Sequence, residues 1–282
     1  MELTIAVQNI SHGGRRINDD ATRNRWNDLI ARLAPVEADI VILNEATGFE
    51  LDGWEKAHQF ASELGLIVAG VTPSKSDVPT AVLYRQERLG PLRAWDTKHQ
   101  HLVNHGFGVA SWDLACLPAP LQLGAIHITP FSPVQAVIEV QTLVCRAYRS
   151  GPYAIVGGDF NFPPLRGKHP DIANMLPFNK MNRLIDPRGT DPQPNKVVAQ
   201  TLYDGGFHDV AAELHMRTGD DALLAYTGKT DRIDWIAVSQ PLRDAIVSYT
   251  LLDQPRGASD HEGVACVLNL ARTDVSDPWA YR

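Results

Sequence analysis

Four short stretches of the chain combine acids, amides and imidazoles in spacings suited to work on a polar substrate. The first is Gly157–Asn161, GGDFN, which follows the apolar run Tyr153–Val156. Side chains two apart at a strand's end face the same way, so Asp159 and Asn161 can share a pocket and orient a water while the glycines permit close backbone approach. Taken alone, the pair is equally the mark of an Asx-stabilised turn. The second is ADIVILNEAT, where Ile40–Leu43 ends in Asn44 and Glu45. A carboxylate there is either a solvated cap or a ligand for a hard cation. In the third, TDRIDWI, Arg232 and Asp234 share one face of a strand and can simply pair with each other. The fourth, Ala258–His261 (ASDH), precedes the apolar Gly263–Leu270. Neighbours in an extended chain point to opposite faces and cannot relay a proton among themselves, and there is no GxSxG elbow, which argues against a serine-hydrolase triad. Adjacency does allow Asp260 to bind a cation while His261 reaches a substrate oxygen.

These groups need elements to hold them, and the apolar runs supply candidates. Alternation and short hydrophobic stretches predict strands near Leu3–Val7, Asp39–Leu43, Leu66–Val71, Thr80–Tyr84, Gly108–Leu114, Leu121–Ile128, Tyr153–Val156, Ile233–Val238, Ala245–Leu251 and Gly263–Leu270. Helical spacing covers Ala21–Leu33, with Trp26, Leu29, Ile30 and Leu33 on one face and Pro35 as a stop. It returns at Pro133–Arg149, where Ser132 is the expected N-cap before a proline at the first helical position. Strand–helix alternation giving way to β-rich stretches predicts a mixed sheet. Phe162–Lys196, with seven prolines, reads as an irregular insertion in a single domain spanning 1–282. With Asn9 closing the first strand and His127 closing LQLGAIH, polar groups stand at the ends of six separate apolar strands. Such convergence is how an α/β scaffold builds a site.

Composition narrows the alternatives. The 282 residues carry 26 Lys+Arg against 33 Asp+Glu, a formal charge of −7, which argues against sequence-blind coating of nucleic acid. Three separated cysteines make a disulfide framework or a zinc knot a poor reading, and the opening MELTIAVQNISHGG lacks the marks of a secretory leader. The expectation is a cytoplasmic monomer with no transmembrane segment. Leu223–Thr230 ends in GKT without the first glycine of a phosphate loop. His99, His101 and His105 read as a polar surface loop. His12, Gly13 and Gly14 with Arg15 and Arg16 fit a phosphate-binding rim as well as a solvated loop.

Asn9, Glu45 at a strand's end, GDFN, RIDWI and SDH together resemble, in order and spacing, the metal-dependent endonuclease/exonuclease/phosphatase superfamily, which includes the deoxyribonuclease I-like enzymes. The resemblance runs from Asn9 to His261. It departs at Asn44, where the family usually has glutamine before the glutamate, and at VQN, where a tryptophan usually precedes the asparagine. It implies a four-layer α/β sandwich, two mixed β-sheets face to face with helices outside. It also implies a hydrolase that cleaves phosphate esters with Mg²⁺ or Mn²⁺, a hard cation suited to oxygen ligands. On this reading Glu45 and Asp260, with Asn9 as a neutral donor, hold the metal, and Asp159 with Asn161 activates the water. His261, oriented by Asp234, and His127 contact phosphoryl oxygens. His12, Arg15, Arg16, Arg166 and Lys168 meet the substrate. The insertion's six cations against three aspartates draw anions. A long basic track is not evident, so a small phosphorylated metabolite, lipid headgroup or short nucleotide is the expected substrate. The alternatives are a DNA or RNA nuclease and a catalytically silent binding protein.

Overall fold

Each of the ten apolar runs forms a strand, with bounds moved by a few residues at most. The computed structural model describes residues 1–14, 25–252 and 257–279. In chain order the strands are β1 (Glu2–Asn9), β2 (Ile40–Asn44), β3 (Ile67–Val71), β4 (Ala81–Tyr84), β5 (Ala94–Asp96), β6 (Gly106–Trp112), β7 (Leu121–His127), β8 (Ala154–Asp159), β9 (Leu184–Ile185), β10 (Gln193–Pro194), β11 (Phe207–Asp209), β12 (Asp234–Ser239), β13 (Ile246–Leu251) and β14 (Val264–Asn269). They make two six-stranded sheets, ordered β13-β14-β1-β2-β4-β3 and β11-β12-β8-β7-β6-β5, and a short β9-β10 ribbon. The sheets share a plan. Each has a central parallel pair, β1 with β2 and β7 with β8, flanked by antiparallel strands.

The inner faces pack on each other through Ile5, Val7, Ile40 and Ile42 from one sheet and Leu123, Ile155 and Ile236 from the other. Strands buried on both faces read as continuous apolar runs, which is why β2 and β8 were conspicuous in the sequence. Trp26–Leu33 and Glu55–Glu63 cover the outer face of the first sheet, burying Leu29, Leu33, Phe60 and Ala57 against Val41 and Leu43. Pro133–Ala147 and Val197–Asp204 cover the second, with Val140, Leu143 and Leu202 over Val156 and Trp235. The Ser132 hydroxyl accepts the Gln135 N–H at 3.3 Å, the cap expected there. Of the helix expected over Ala21–Leu33, residues 21–24 lie outside the described residues. Most of Phe162–Lys196 is irregular, apart from the helix Pro177–Arg183 and the β9-β10 ribbon. The three cysteines are unpaired, and among the described residues no helix is long and apolar enough to cross a membrane.

Parallel pairing fixes where the site lies. The parallel strands β1, β2, β7 and β8 end together, in register Asn9 with Asn44 and His127 with Asp159. The antiparallel neighbours start at that end, Asp234 pairing with Asp159 and Val264 with Val7. One rim of the sandwich therefore collects polar ends from both sheets.

Candidate active site

Asp159 is the centre of this rim. It closes β8, and a β8 with side chains at 157 and 158 could not occupy its place. A Cβ on Gly157 would press on Ile42 and Val7 of the facing sheet at 3.0 and 3.1 Å, and one on Gly158 (φ 148°) would strike the Ile126 backbone. The glycines let the sheets close until the Asp159 N–H reaches Asn44 Oδ1 at 2.8 Å, while Asn44 Nδ2 donates to Ile126 O at 2.9 Å. Asn44, where the resembling family usually has glutamine, thus ties one sheet to the other.

Around Asp159 the residues expected from sequence converge. Its Oδ2 accepts from Asn9 Nδ2 at 3.2 Å and lies 3.5 Å from His127 Nε2 and 3.8 Å from His261 Nδ1. Its Oδ1 accepts the Asn161 N–H at 2.8 Å, and Asn161 Nδ2 donates to Ile128 O at 2.9 Å. His261 Nδ1 sits 2.8 Å from Asp234 Oδ2, and Thr227 Oγ1 holds the Asp234 N–H at 2.8 Å. Ser259, unassigned in the sequence reading, is structural: its hydroxyl donates to Asn9 O at 2.6 Å and accepts the His261 N–H at 3.2 Å.

Glu45 follows β2 in the left-handed region (φ 55°), as Asn161 does after β8 (φ 55°), a conformation that costs a glutamate about 1 kcal/mol and turns its carboxylate over the rim. Glu45 Oε1 accepts from Asn9 Nδ2 at 3.1 Å and Oε2 accepts the His12 N–H at 3.1 Å, with the His12 ring 3.8 Å away. Ser11 to Gly14 all have positive φ, and the Gly13 N–H donates to Glu45 O at 2.6 Å. His12 is thus at the site. Arg15 and Arg16 lie outside the described residues.

Burial sets the charge states. It raises Asp159 and Asp234 above the usual carboxylate range, only partly offset by His261. For His261 burial opposes charge, but Asp234 and Asp159 outweigh it and hold the imidazole well above its ordinary 6.5. Burial pushes His127 down to about 4, so this ring is neutral at pH 7. Burial pushes Glu45 up too, yet His127, the Asn9 amide and His261 bring it below 4.5.

The donor set fits a hard divalent ion. Asp159, Asp234 and His261 bring ligand atoms within 4.8 Å of one another, and buried Asp234 Oδ1 has no hydrogen-bond partner among the described residues. Glu45 adds carboxylate oxygens from the facing sheet, with no thiol among the donors. Asp260 is exposed beside His261, on which its charge acts. In this arrangement Asn9 offers its N–H₂ to the two carboxylates, its Oδ1 accepting the Ser11 N–H at 2.9 Å.

Other expectations place differently. Arg166 and Lys168 are exposed and border separate cavities outside this cluster, Arg166 a cleft of about 360 Å³ with Leu202, Phe207 and Trp235. Arg183 takes the place expected of a cation: it donates to Asn161 Oδ1 at 2.8 Å and Asp231 Oδ1 at 2.9 Å. Arg232 pairs with Asp209, not with Asp234. His105 is not on a polar surface loop. It is buried, its ring stacked on His127 at 4.4 Å and bonded to Ser76. The strand after it starts at Gly106, two residues before its expected start, and pairs Gly106 with His127. A matched-length hairpin of GFGVASW with LQLGAIH was the signal that places His105 beside the site.

No family model matches the sequence, nor does any curated protein. Solved structures do match the fold. An AP endonuclease from Archaeoglobus fulgidus superposes with TM-score 0.65 at 16% identity, over 95% of this chain and 99% of that one. The 3′-5′ exonuclease NExo from Neisseria meningitidis gives 0.63 at 16%, over 95% and 100%. The D. rerio TDP2 complexed with single-strand DNA product gives 0.61 at 14%, over 95% and 99%. With two mixed six-stranded sheets packed face to face and helices outside, the chain has the deoxyribonuclease I-like α/β-sandwich fold of the endonuclease/exonuclease/phosphatase proteins.

Proposed function

We propose that the chain is a divalent-metal-dependent phosphodiesterase that hydrolyses nucleic-acid strands. The observation that carries the reading is the convergence on Asp159, where a buried carboxylate with raised proton affinity meets a neutral imidazole of its own sheet and a cationic one from across the seam. The small-metabolite substrate expected from the lack of a long basic track gives way, because structures of an AP endonuclease, an exonuclease and a TDP2 with a DNA product share the fold and support nucleic acid.

Glu45 with Asp260 would hold Mg²⁺ or Mn²⁺, which when bound supplies Lewis-acid stabilisation to the scissile phosphate, and the Asn9 amide, expected as an oxygen donor, instead steadies the Glu45 carboxylate. Asp159, pinned by the Asn161 N–H, accepts the proton of the attacking water. His261, kept charged by Asp234, donates to a phosphoryl oxygen as negative charge builds there, and neutral His127 donates to a second, while the ester P–O bond opposite the water breaks and the leaving sugar oxygen takes a proton from solvent. Arg183 fixes Asn161 and so the loop beside the water. His12 reaches the substrate from the Glu45 side.

Purified protein is expected to cleave oligonucleotides in Mg²⁺ or Mn²⁺, with cleavage abolished by EDTA and restored by adding the metal back. The comparison is metal-dependent phosphate release from a panel of phosphorylated metabolites. Turnover of a metabolite with oligonucleotides untouched would return the substrate to the small-molecule class, and no metal-dependent activity on either would favour a silent scaffold.

A further inference from the structure

Large apolar side chains stand in water beside this site. Phe131 and Val134 are 63% and 74% exposed just beyond β7, and Leu176, Phe178 and Met181, each over half exposed, belong to the insertion. The two groups are anchored to each other and to the catalytic residues: Asn182 Nδ2 donates to Pro130 O at 2.6 Å, and its neighbour Arg183 holds Asn161. Nothing among the described residues covers them.

Phe131 is the outer ring of a column that starts in the site. His127, 3.5 Å from Asp159, stacks on His105 with ring centres 4.4 Å apart, and His105 meets Phe131 at 5.4 Å and 60°. Phe131 thus offers a planar ring at the outer end of a stack whose inner end lies 3.5 Å from Asp159. In a nucleic acid the scissile phosphate joins two sugars, each of which carries a base, and only an unpaired base has a free face to offer, because duplex bases are already stacked on their neighbours. Lys180, on the same helix as Phe178 and Met181, adds a cation for a strand's other phosphates.

We infer that Phe131, with Phe178 on the helix whose Asn182 holds Pro130 O, is a stacking platform for an unpaired nucleobase next to the cleaved bond, making single-stranded nucleic acid the preferred substrate. This deepens the hydrolytic reading and rests on it for the identity of the site. A second copy of the chain or a lipid surface would also cover an apolar rim, but neither explains an aromatic ring continuing the catalytic imidazole column.

The test compares a short fluorescent oligothymidylate with a strand of equal length whose sugars carry no bases. Binding is measured in EDTA and cleavage in Mg²⁺, for the wild type, Phe131→Ala, Phe131→Trp and Phe178→Ala. The wild type is expected to prefer the base-bearing strand by about 10-fold, the scale of one stacked base. Phe131→Ala should bring that ratio close to one, Phe178→Ala should reduce it, and Phe131→Trp should keep it. A ratio unchanged in Phe131→Ala overturns the platform even if both strands are cleaved, whereas a ratio that collapses in EDTA without cleavage in Mg²⁺ removes the hydrolytic reading and leaves the platform. Phe131-dependent binding to phosphatidylserine vesicles with no preference between the strands would assign the rim to lipid.

Discussion

Asp234 is fully buried, and its Oδ2 lies 2.8 Å from His261 Nδ1, so it fixes both the orientation and the charge of that ring. Replacing it by asparagine keeps the shape and removes the charge. His261 is held above its ordinary range chiefly against burial, by Asp234 and then Asp159, so losing the first partner lowers its proton affinity. A step that needs the imidazolium fails as pH rises through that value. Asp234→Asn should therefore lower kcat about 10- to 100-fold and move the alkaline limb of the kcat–pH profile to lower pH. A profile identical in shape to the wild type would remove His261 from the cationic role. On the proposed mechanism Glu45→Gln removes a cation ligand and His261→Ala a donor aimed at the developing charge, and each should cost at least about 10²-fold in kcat. Single-turnover kinetics at saturating metal reads these losses, and near-normal turnover in either variant refutes its role.

Two elements carry constraints of their own. In β8 a Cβ at position 158 meets the carbonyl of Ile126 in the neighbouring strand, which cannot yield as a flexible side chain can. Gly158→Ala should thus cost at least about 3 kcal/mol, read by urea unfolding, since it forces apart the strands that carry His127 and Asp159. On the helix Pro133–Ala147, buried Glu139 accepts the Thr129 N–H at 2.8 Å and the Asn104 N–H at 3.0 Å, bracing the chain beside Phe131 and His105. Burial, only partly offset by those N–H groups, raises it from 4.5 to about 7. The folded chain then binds more protons than the unfolded one between these values. Its contribution is complete below 4.5 and is lost as pH rises to about 7, on the order of 3 kcal/mol across that window. The melting-temperature difference between the wild type and Glu139→Gln should fall over that range, and a difference independent of pH would contradict the assignment. The same elements explain what the sequence could say. β2 and β8 were legible because strands buried on both faces are apolar throughout, and their polar ends stood out as NE and GGDFN. β5 and β11, three residues each, were too short to show alternation, and the covering helix Val197–Asp204 sits behind a proline-rich stretch that obscured it. His105 was hidden by its polar neighbours, and Arg183 by an insertion whose contacts depend on tertiary closure.

At the scale of the molecule, neither sheet holds the site alone. Asn9, Glu45 and His261 belong to the first sheet or its connections, and His127, Asp159 and Asp234 to the second. The Asn9–Asp159, Asn44–Asp159 and His261–Asp234 hydrogen bonds all cross the seam. That seam concentrates acids on a chain that is already net negative, so part of the cost of closing the sandwich is repulsion among carboxylates at its rim. A divalent cation bound there would offset this repulsion in the folded state, while the unfolded chain, with its ligands dispersed, gains little. At about ten times its Kd such an ion stabilises the fold by roughly 1.4 kcal/mol, which for a chain of this size is a rise in Tm of about 2 to 3 °C. Mg²⁺ is expected to produce that rise in differential scanning fluorimetry, and NaCl at matched ionic strength is not, because screening alone does not bridge the sheets. Glu45→Gln should lose the increment while keeping its Tm in EDTA close to that of the wild type. An equal Mg²⁺ response in both proteins would place the ion away from the seam, and with it the reason for the two sheets to meet at their polar ends.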